Sequence, residues 1–128
     1  MHEVEEGRRL LVANEKVVGV EIGDDKKVIL PFVGAEPHVL GKFPSVTVDM
    51  GAVRFVCNGA KVMRPGIKNF DSFKKGDVVL VKDLVHGKVL ASGLALEDSE
   101  TAKLMEKGYV VETLHYISDK MWEGFKQI

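Results

Sequence analysis

Arg54, Lys61, Arg64, Lys68, Lys74 and Lys75 fall between residues 51 and 76, where Asp71 is the only acid, so this stretch carries +5. The flanks have the opposite sign: residues 1–50 and residues 77–128 each carry −3, and the whole chain is −1 at neutral pH. A basic middle between acidic flanks can focus positive potential on one face without making the whole protein sticky. Clustered Lys and Arg displace counterions from a sugar-phosphate chain. The planar fork of arginine can also hydrogen-bond phosphate or stack on an exposed base. Lysines scattered over a solvated surface would give the same count, so charge alone leaves both readings open.

Two breaks, Asn58-Gly59 and Pro65-Gly66, bend this segment. A glycine without Cβ lets a polymer backbone approach closely, and N–H groups left free in such a turn can donate to phosphate oxygens. Gly59 has a plainer reading as a helix terminator, and Arg64 one as an exposed strand residue with no ligand.

Other reactive residue types do not assemble into a site. Cys57 is the single cysteine, which excludes an internal disulfide or cysteine knuckle and reads as a small buried hydrophobe. His2, His38 and His86 lack ligand spacing with a carboxylate, so no metal site is expected. Gly87-Lys88 lacks the upstream glycine and the following Ser or Thr of a phosphate-binding loop. No G-x-S-x-G or H-E-x-x-H motif occurs. The expectation is a protein without catalytic residues and without a cofactor. His115 and Tyr116 read as packing and hydrogen-bonding residues, and Trp122 as the core anchor of a terminal helix.

The elements that position these residues are short. Residues 10–13, 17–22 and 28–32 are rich in β-branched side chains and are separated by Asn14-Glu15-Lys16 and Gly23-Asp24-Asp25-Lys26, which predicts a β-meander. Pro37, Gly41 and Pro44 mark a linker or irregular crossover, with a boundary near Lys42. A strand is expected at Ser45–Val48, then a helix capped by Asp49 and stopped at Asn58-Gly59, with its apolar side inward and Arg54 and Asn58 outward. Strands are predicted over 61–67 (broken at Pro65-Gly66 by a type II turn or bulge), 77–83, 89–96 and 110–117. Val78-Val79-Leu80-Val81 suits burial on both faces, and Gly93 suits a bulge where the sheet bends. Helices are expected at 99–107 and after Ser118 or Asp119, the last with Met121, Trp122, Phe125 and Ile128 along one side. The fold class is mainly β with short helices, α+β overall, built on a small closed or nearly closed barrel.

Several motifs resemble one family in the right order. GAVRFVCNGAKVMRPGI, residues 51–67, is similar to the first helix, glycine turn and second strand of PUA domains. Phe73-Lys74-Lys75-Gly76-Asp77-Val78-Val79 resembles the entry to that family's third strand. Leu114-His115-Tyr116-Ile117-Ser118-Asp119-Lys120-Met121-Trp122, with Lys42-Phe43-Pro44 and Val48-Asp49-Met50-Gly51-Ala52, resembles one branch. That branch is the malignant T-cell amplified sequence, or translation machinery-associated, branch with its fungal and archaeal relatives.

The resemblance implies a PUA-type pseudo-barrel over residues 45–128, with a C-terminal helix. It implies a shortened pre-PUA β-meander and linker over residues 1–44. It implies an RNA-binding face that carries over, position by position, to Arg54, Asn58, Gly59, Ala60, Lys61 and Arg64, with Lys68 adding charge. The implied partner is structured RNA, tRNA or rRNA, in translation initiation or ribosome recycling. The small ribosomal subunit and a partner related to density-regulated protein are implied with it. Two alternatives remain: an RNA-binding accessory subunit of a tRNA or rRNA modification enzyme, and a non-RNA interaction domain. No apolar run reaches the roughly 20 residues of a membrane span. The charged start MHEVEEGRR lacks a signal-peptide core, so a cytoplasmic location is expected.

Overall fold

The computed structural model describes residues 2–5, 7–23 and 27–125. The expected turn at Asp24-Asp25-Lys26 lies outside the described residues, as do Ile128 and the side chain of Phe125. Among the described residues no helix is long and apolar enough to cross a membrane.

The predicted meander is present and has one more strand than the sequence indicated. β1 (His2–Glu5), β2 (Arg8–Ala13), β3 (Lys16–Ile22) and β4 (Val28–Pro31) form an antiparallel sheet in that order. β1 is too short and too charged to show an apolar alternation. Asn14 and Glu15 both have positive φ, 52° and 66°, and close the two-residue β2–β3 turn. The expected linker contains one helical turn, α1 (Pro37–Leu40), with its proline at the first position.

The second sheet combines β5 (Ser45–Val48), β6 (Val62–Met63), β7 (Ile67–Phe70), β8 (Val78–Asp83), β9 (Val89–Ala95) and β10 (Tyr109–Tyr116). Its order is β6-β10-β9-β8-β5-β7, with β5 parallel to β8 and the other pairs antiparallel. It forms a nearly closed pseudo-barrel. α2 (Met50–Val56) follows β5, with the Asp49 carboxylate accepting from Ala52 N–H at 3.0 Å. The strand break at Pro65-Gly66 is neither a type II turn nor a bulge. Residues Arg64–Gly66 form a short 3-10 turn, to which the fixed φ of proline is suited. α3 (Ser99–Leu104) is shorter than its pattern indicated, and α4 (Lys120–Phe125) ends the described chain.

The β8–β10 strands are buried on both faces. Val79, Val81, Ala91, Val110 and Val111 fill the barrel interior. Val78, Leu94 and Leu114 pack outward against Leu10, Val20, Leu30 and Phe32 of the first sheet. Met121 of α4 is fully buried in that same outer cluster, so the last helix completes the core of the first sheet.

Gly93 allows close contact with β10. A Cβ there would lie 1.9 Å from the Glu112 carbonyl oxygen. Opposite it, the register shifts between Thr113, which faces Gly93, and His115, which faces Ser92. The extra residue therefore sits on β10, not on the glycine strand, and it changes the alternation of side chains. Thr113 donates to the Ala60 carbonyl at 2.8 Å, while Leu114 joins the outer cluster. His115 turns toward Val33, just past β4, and Tyr116 turns back toward the barrel cluster.

His115 is fully buried. Val33 N–H donates to its Nε2 at 3.2 Å, so the ring proton sits on Nδ1, 2.7 Å from Asp119 Oδ2. Asp119 also accepts from Tyr116 N–H and, as the cap of α4, from Trp122 N–H, both at 2.8 Å. Burial would raise this carboxyl, but the hydrogen bonds from His115, Trp122 and Tyr116 outweigh it and hold it below its ordinary value.

Because the folded value lies below the unfolded one, the contribution of Asp119 is complete above about pH 4 and is lost as pH falls through the folded value. Asp119→Ala is expected to cost roughly 2–4 kcal/mol, a cap of about 1 plus buried hydrogen bonds. Urea unfolding across acid pH should show a loss of wild-type stability below about pH 4 that is smaller in Asp119→Asn, where Asp83 and Glu36 still titrate from lowered values.

Candidate nucleic-acid interface

α2 ends in a turn whose donors are all engaged. Cys57 N–H bonds to Val53 O, Asn58 N–H to Phe55 O, Gly59 N–H to Val56 O and Ala60 N–H to Phe55 O, at 2.9–3.1 Å. This is a Schellman-type closure of the helix. The expectation that free N–H groups of this turn cradle phosphate is therefore corrected: the helix carbonyls already take them. Gly59 is needed for its φ of +84°, and a Cβ there would lie 2.9 Å from the Tyr116 ring. Its open side faces Tyr116, so the terminator reading describes what Gly59 does here.

Beside this turn lies an open groove of about 670 Å³ between α2, β6 and the 3-10 turn. Ala52, Phe55, Ala60, Lys61, Met63 and Tyr109 are among its lining residues. Met63 and Tyr109 are paired across β6 and β10. Phe55, Met63 and Tyr109 are 53%, 50% and 52% exposed, so three large apolar side chains stand in solvent around one hollow. Cations sit on two of the rings: Lys61 Nζ lies 5.4 Å from the Tyr109 centroid and the Arg54 guanidinium 5.0 Å from that of Phe55. Asp49 also lines the groove, with its carboxylate capping α2.

The seven residues singled out from the sequence do not form one patch. Ala60 and Lys61 line the groove, and Arg54 and Asn58 are exposed on the adjoining face of α2. Arg64 is half-buried and does not line it. Its guanidinium donates to the carbonyls of Ile67 at 3.1 Å and Lys103 at 3.3 Å, and lies 5.0 Å from the Phe70 centroid. It thus ties the 3-10 turn to the last turn of α3. Lys68 is exposed on β7, at the other end of the sheet order from β6. Phe55, Met63 and Tyr109 were missed. The available signal was Phe55 at a position of α2 shared with Gly51 rather than with the buried Val56.

A family model described as "PUA domain" matches residues 44–117, and the chain belongs to that family. The chain is 45% identical over 78 residues to the uncharacterized protein MJ1432 of Methanocaldococcus jannaschii, covering 60% of this chain and 48% of that one. It is 39% identical over 106 residues to the probable tRNA pseudouridine synthase B of Pyrobaculum arsenaticum (80% and 30%). It is 31% identical over 87 residues to translation machinery-associated protein 20 of Saccharomyces cerevisiae (62% and 48%). The chain therefore spans about half, or less, of the length of these relatives. Among solved structures, a hypothetical protein of Pyrococcus horikoshii superposes with a TM-score of 0.81 at 33% identity, covering 94% of this chain and 75% of that one. A PUA domain protein of Thermoplasma acidophilum superposes with a TM-score of 0.75 at 26% identity, covering 94% and 78%.

Two stability measurements check these assignments. Gly59→Ala should cost about 1–2 kcal/mol from the left-handed backbone alone, with more from the Tyr116 contact. Arg64→Ala should cost roughly 1–3 kcal/mol by freeing the carbonyls it holds. Urea midpoints unchanged from wild type in both variants would show that neither residue is a structural element.

Proposed function

We propose that the protein binds structured RNA, tRNA or rRNA, through its PUA domain and acts without catalysis in translation initiation or ribosome recycling. The observation that carries this reading is the α2 groove on a fold known for RNA binding. Exposed Phe55, Met63 and Tyr109 offer apolar faces to unpaired bases, while Lys61 and Arg54 supply charge beside them. Recognition there would rest on stacking and side-chain cations, since the turn's own N–H groups are engaged.

We further propose the division into a shortened pre-PUA unit over residues 1–44 and a PUA unit over residues 45–128. The role in translation is supported by the similarity to translation machinery-associated protein 20. The small ribosomal subunit, a partner related to density-regulated protein and a cytoplasmic setting are proposed with that role. Of the site residues, Arg54, Asn58, Ala60 and Lys61 are proposed to touch RNA. Gly59 and Arg64 are proposed to shape the face, and Lys68 to add charge at a distance. A second reading, an RNA-binding accessory subunit of a modification enzyme, is supported by the similarity to a tRNA pseudouridine synthase. Native co-purification separates the two: ribosomal subunits support the first, a modification enzyme the second.

Lys61→Ala should weaken tRNA binding and lower its salt slope by about one. Phe55→Ala and Tyr109→Ala should each cost about 1–3 kcal/mol of RNA affinity if a base stacks there, with little change in stability because both rings are already half in water. Filter binding of tRNA across a salt series measures both effects. Wild-type affinity in all three variants would remove the groove as the site.

A further inference from the structure

A second hollow, of about 430 Å³, opens where the first unit meets the barrel. Leu40, Val89, Ile117 and Trp122 supply apolar wall, and Lys82 and Lys88 of the β8–β9 hairpin stand in it. Among the described residues that line it there is no carboxylate. Asp83, next to Lys82, is turned into its own hairpin, where it accepts from the backbone N–H groups of His86 and Lys88. An otherwise apolar cavity with two ammonium groups suits a flat apolar group that bears an anion, and its volume falls within the usual range for small-ligand sites.

Its position relative to α2 narrows the choice. At 3.6 residues per turn, Gly51, Ala52, Phe55 and Val56 occupy the groove side of the helix, and Cys57 occupies the opposite flank. Arg54 falls between these two sides, and it and Asn58, in the turn just past the helix, are exposed. The Lys88 ammonium is near the Cys57 thiol. Burial raises that thiol, and Lys88 is close enough to offset part of the rise. α2 also packs on β9, which Lys88 immediately precedes. The groove thus lies along α2, and the junction hollow reaches the start of the strand on which α2 packs, with Arg54 and Asn58 exposed at and just past the helix's C-terminal end.

We propose that the junction hollow binds a further nucleotide of the same unpaired RNA stretch that enters the α2 groove. Its phosphate lies between Lys82 and Lys88, its base against the wall that includes Trp122, and the connecting backbone crosses Arg54 and Asn58. This rests on the RNA reading of the groove and extends it to a continuous track. The track gives Arg54 and Asn58, which line neither hollow, a common purpose. It also makes the junction with the first unit part of the binding surface.

Trp122 is the single tryptophan of the chain, so its emission reports on this hollow directly. A helix is about 10–12 Å across with side chains, so crossing it takes backbone beyond the nucleotides that fill the groove. A dinucleotide can fill the groove alone, whereas an unstructured octanucleotide can reach both hollows. Binding of each RNA to the full chain is followed by anisotropy of a labelled oligonucleotide and by Trp122 emission. The octanucleotide should change Trp122 emission and the dinucleotide should not. Lys82→Ala/Lys88→Ala should weaken octanucleotide binding and lower its salt slope by about 0.7, the value for the one single-strand phosphate the two lysines share, while leaving the dinucleotide unaffected.

An octanucleotide that binds with unaltered Trp122 emission and is indifferent to the two lysines overturns the proposal while leaving the groove intact. A polyglutamate peptide that quenches Trp122 as well as RNA of equal charge also overturns it, by making the hollow a site for acidic peptide. Failure of the underlying reading looks different: neither oligonucleotide nor tRNA binds at all, and both proposals fall together.

Discussion

The extra residue that β10 inserts opposite Gly93 determines where the chemistry of the last strand points. Without it, Thr113 and His115 would share a face, and Tyr116 would turn away from α2. With it, Thr113 and Tyr116 both reach the glycine turn, one by a hydrogen bond to Ala60 and the other by packing under Gly59. Leu114 and His115 are released to the opposite side, where they meet the core of the first sheet and Val33. One register shift thus serves the shape of the candidate interface and the packing of the two sheets. It requires a glycine on β9 because the Glu112 carbonyl occupies the space a Cβ would fill.

The same arrangement explains why the interface is made of side chains. A turn that leaves its amides free can bind an anion directly, but it must then be held open by something else. Here the amides close the helix, and Tyr116 and Thr113 brace the turn from below. What remains exposed beside it is apolar: Phe55, Met63 and Tyr109, with cations lying on two of the rings. Such a surface favours ligands with flat, unpaired faces over regular helical backbone. Its affinity is divided between stacking, which salt barely affects, and charge, which salt screens.

Much of this fold was legible in the sequence, and the unread parts have common physical causes. Asp49 and Asn58-Gly59 marked α2 because capping is local chemistry, and the continuous apolar run at 78–81 marked a strand buried on both faces. β1 escaped because four residues with three polar side chains carry no period, and α1 because a single turn is too short to show one. The groove escaped for another reason. Met63 and Tyr109 are distant in sequence and become neighbours only through β6–β10 pairing, a contact that no local pattern encodes. Arg64 was legible as a cation but not in its direction. Only the 3-10 turn at Pro65 shows that its guanidinium meets the carbonyls of Ile67 and Lys103.

Met121 lies fully buried among residues of the first sheet, and Asp119 fixes the helix that carries it. The first sheet, which is made before the barrel, therefore lacks part of its interior until almost the whole described chain has been synthesised. Strands β1 to β4 emerge with Leu10, Val20 and Phe32 uncovered, and stay so while the barrel strands are still being made. During that interval the nascent chain presents apolar surface to whatever is nearby, and chaperone occupancy should concentrate there. Closure by α4 then couples completion of the first sheet to synthesis of residues beyond the barrel strands, so that a segment made before the barrel becomes native after it.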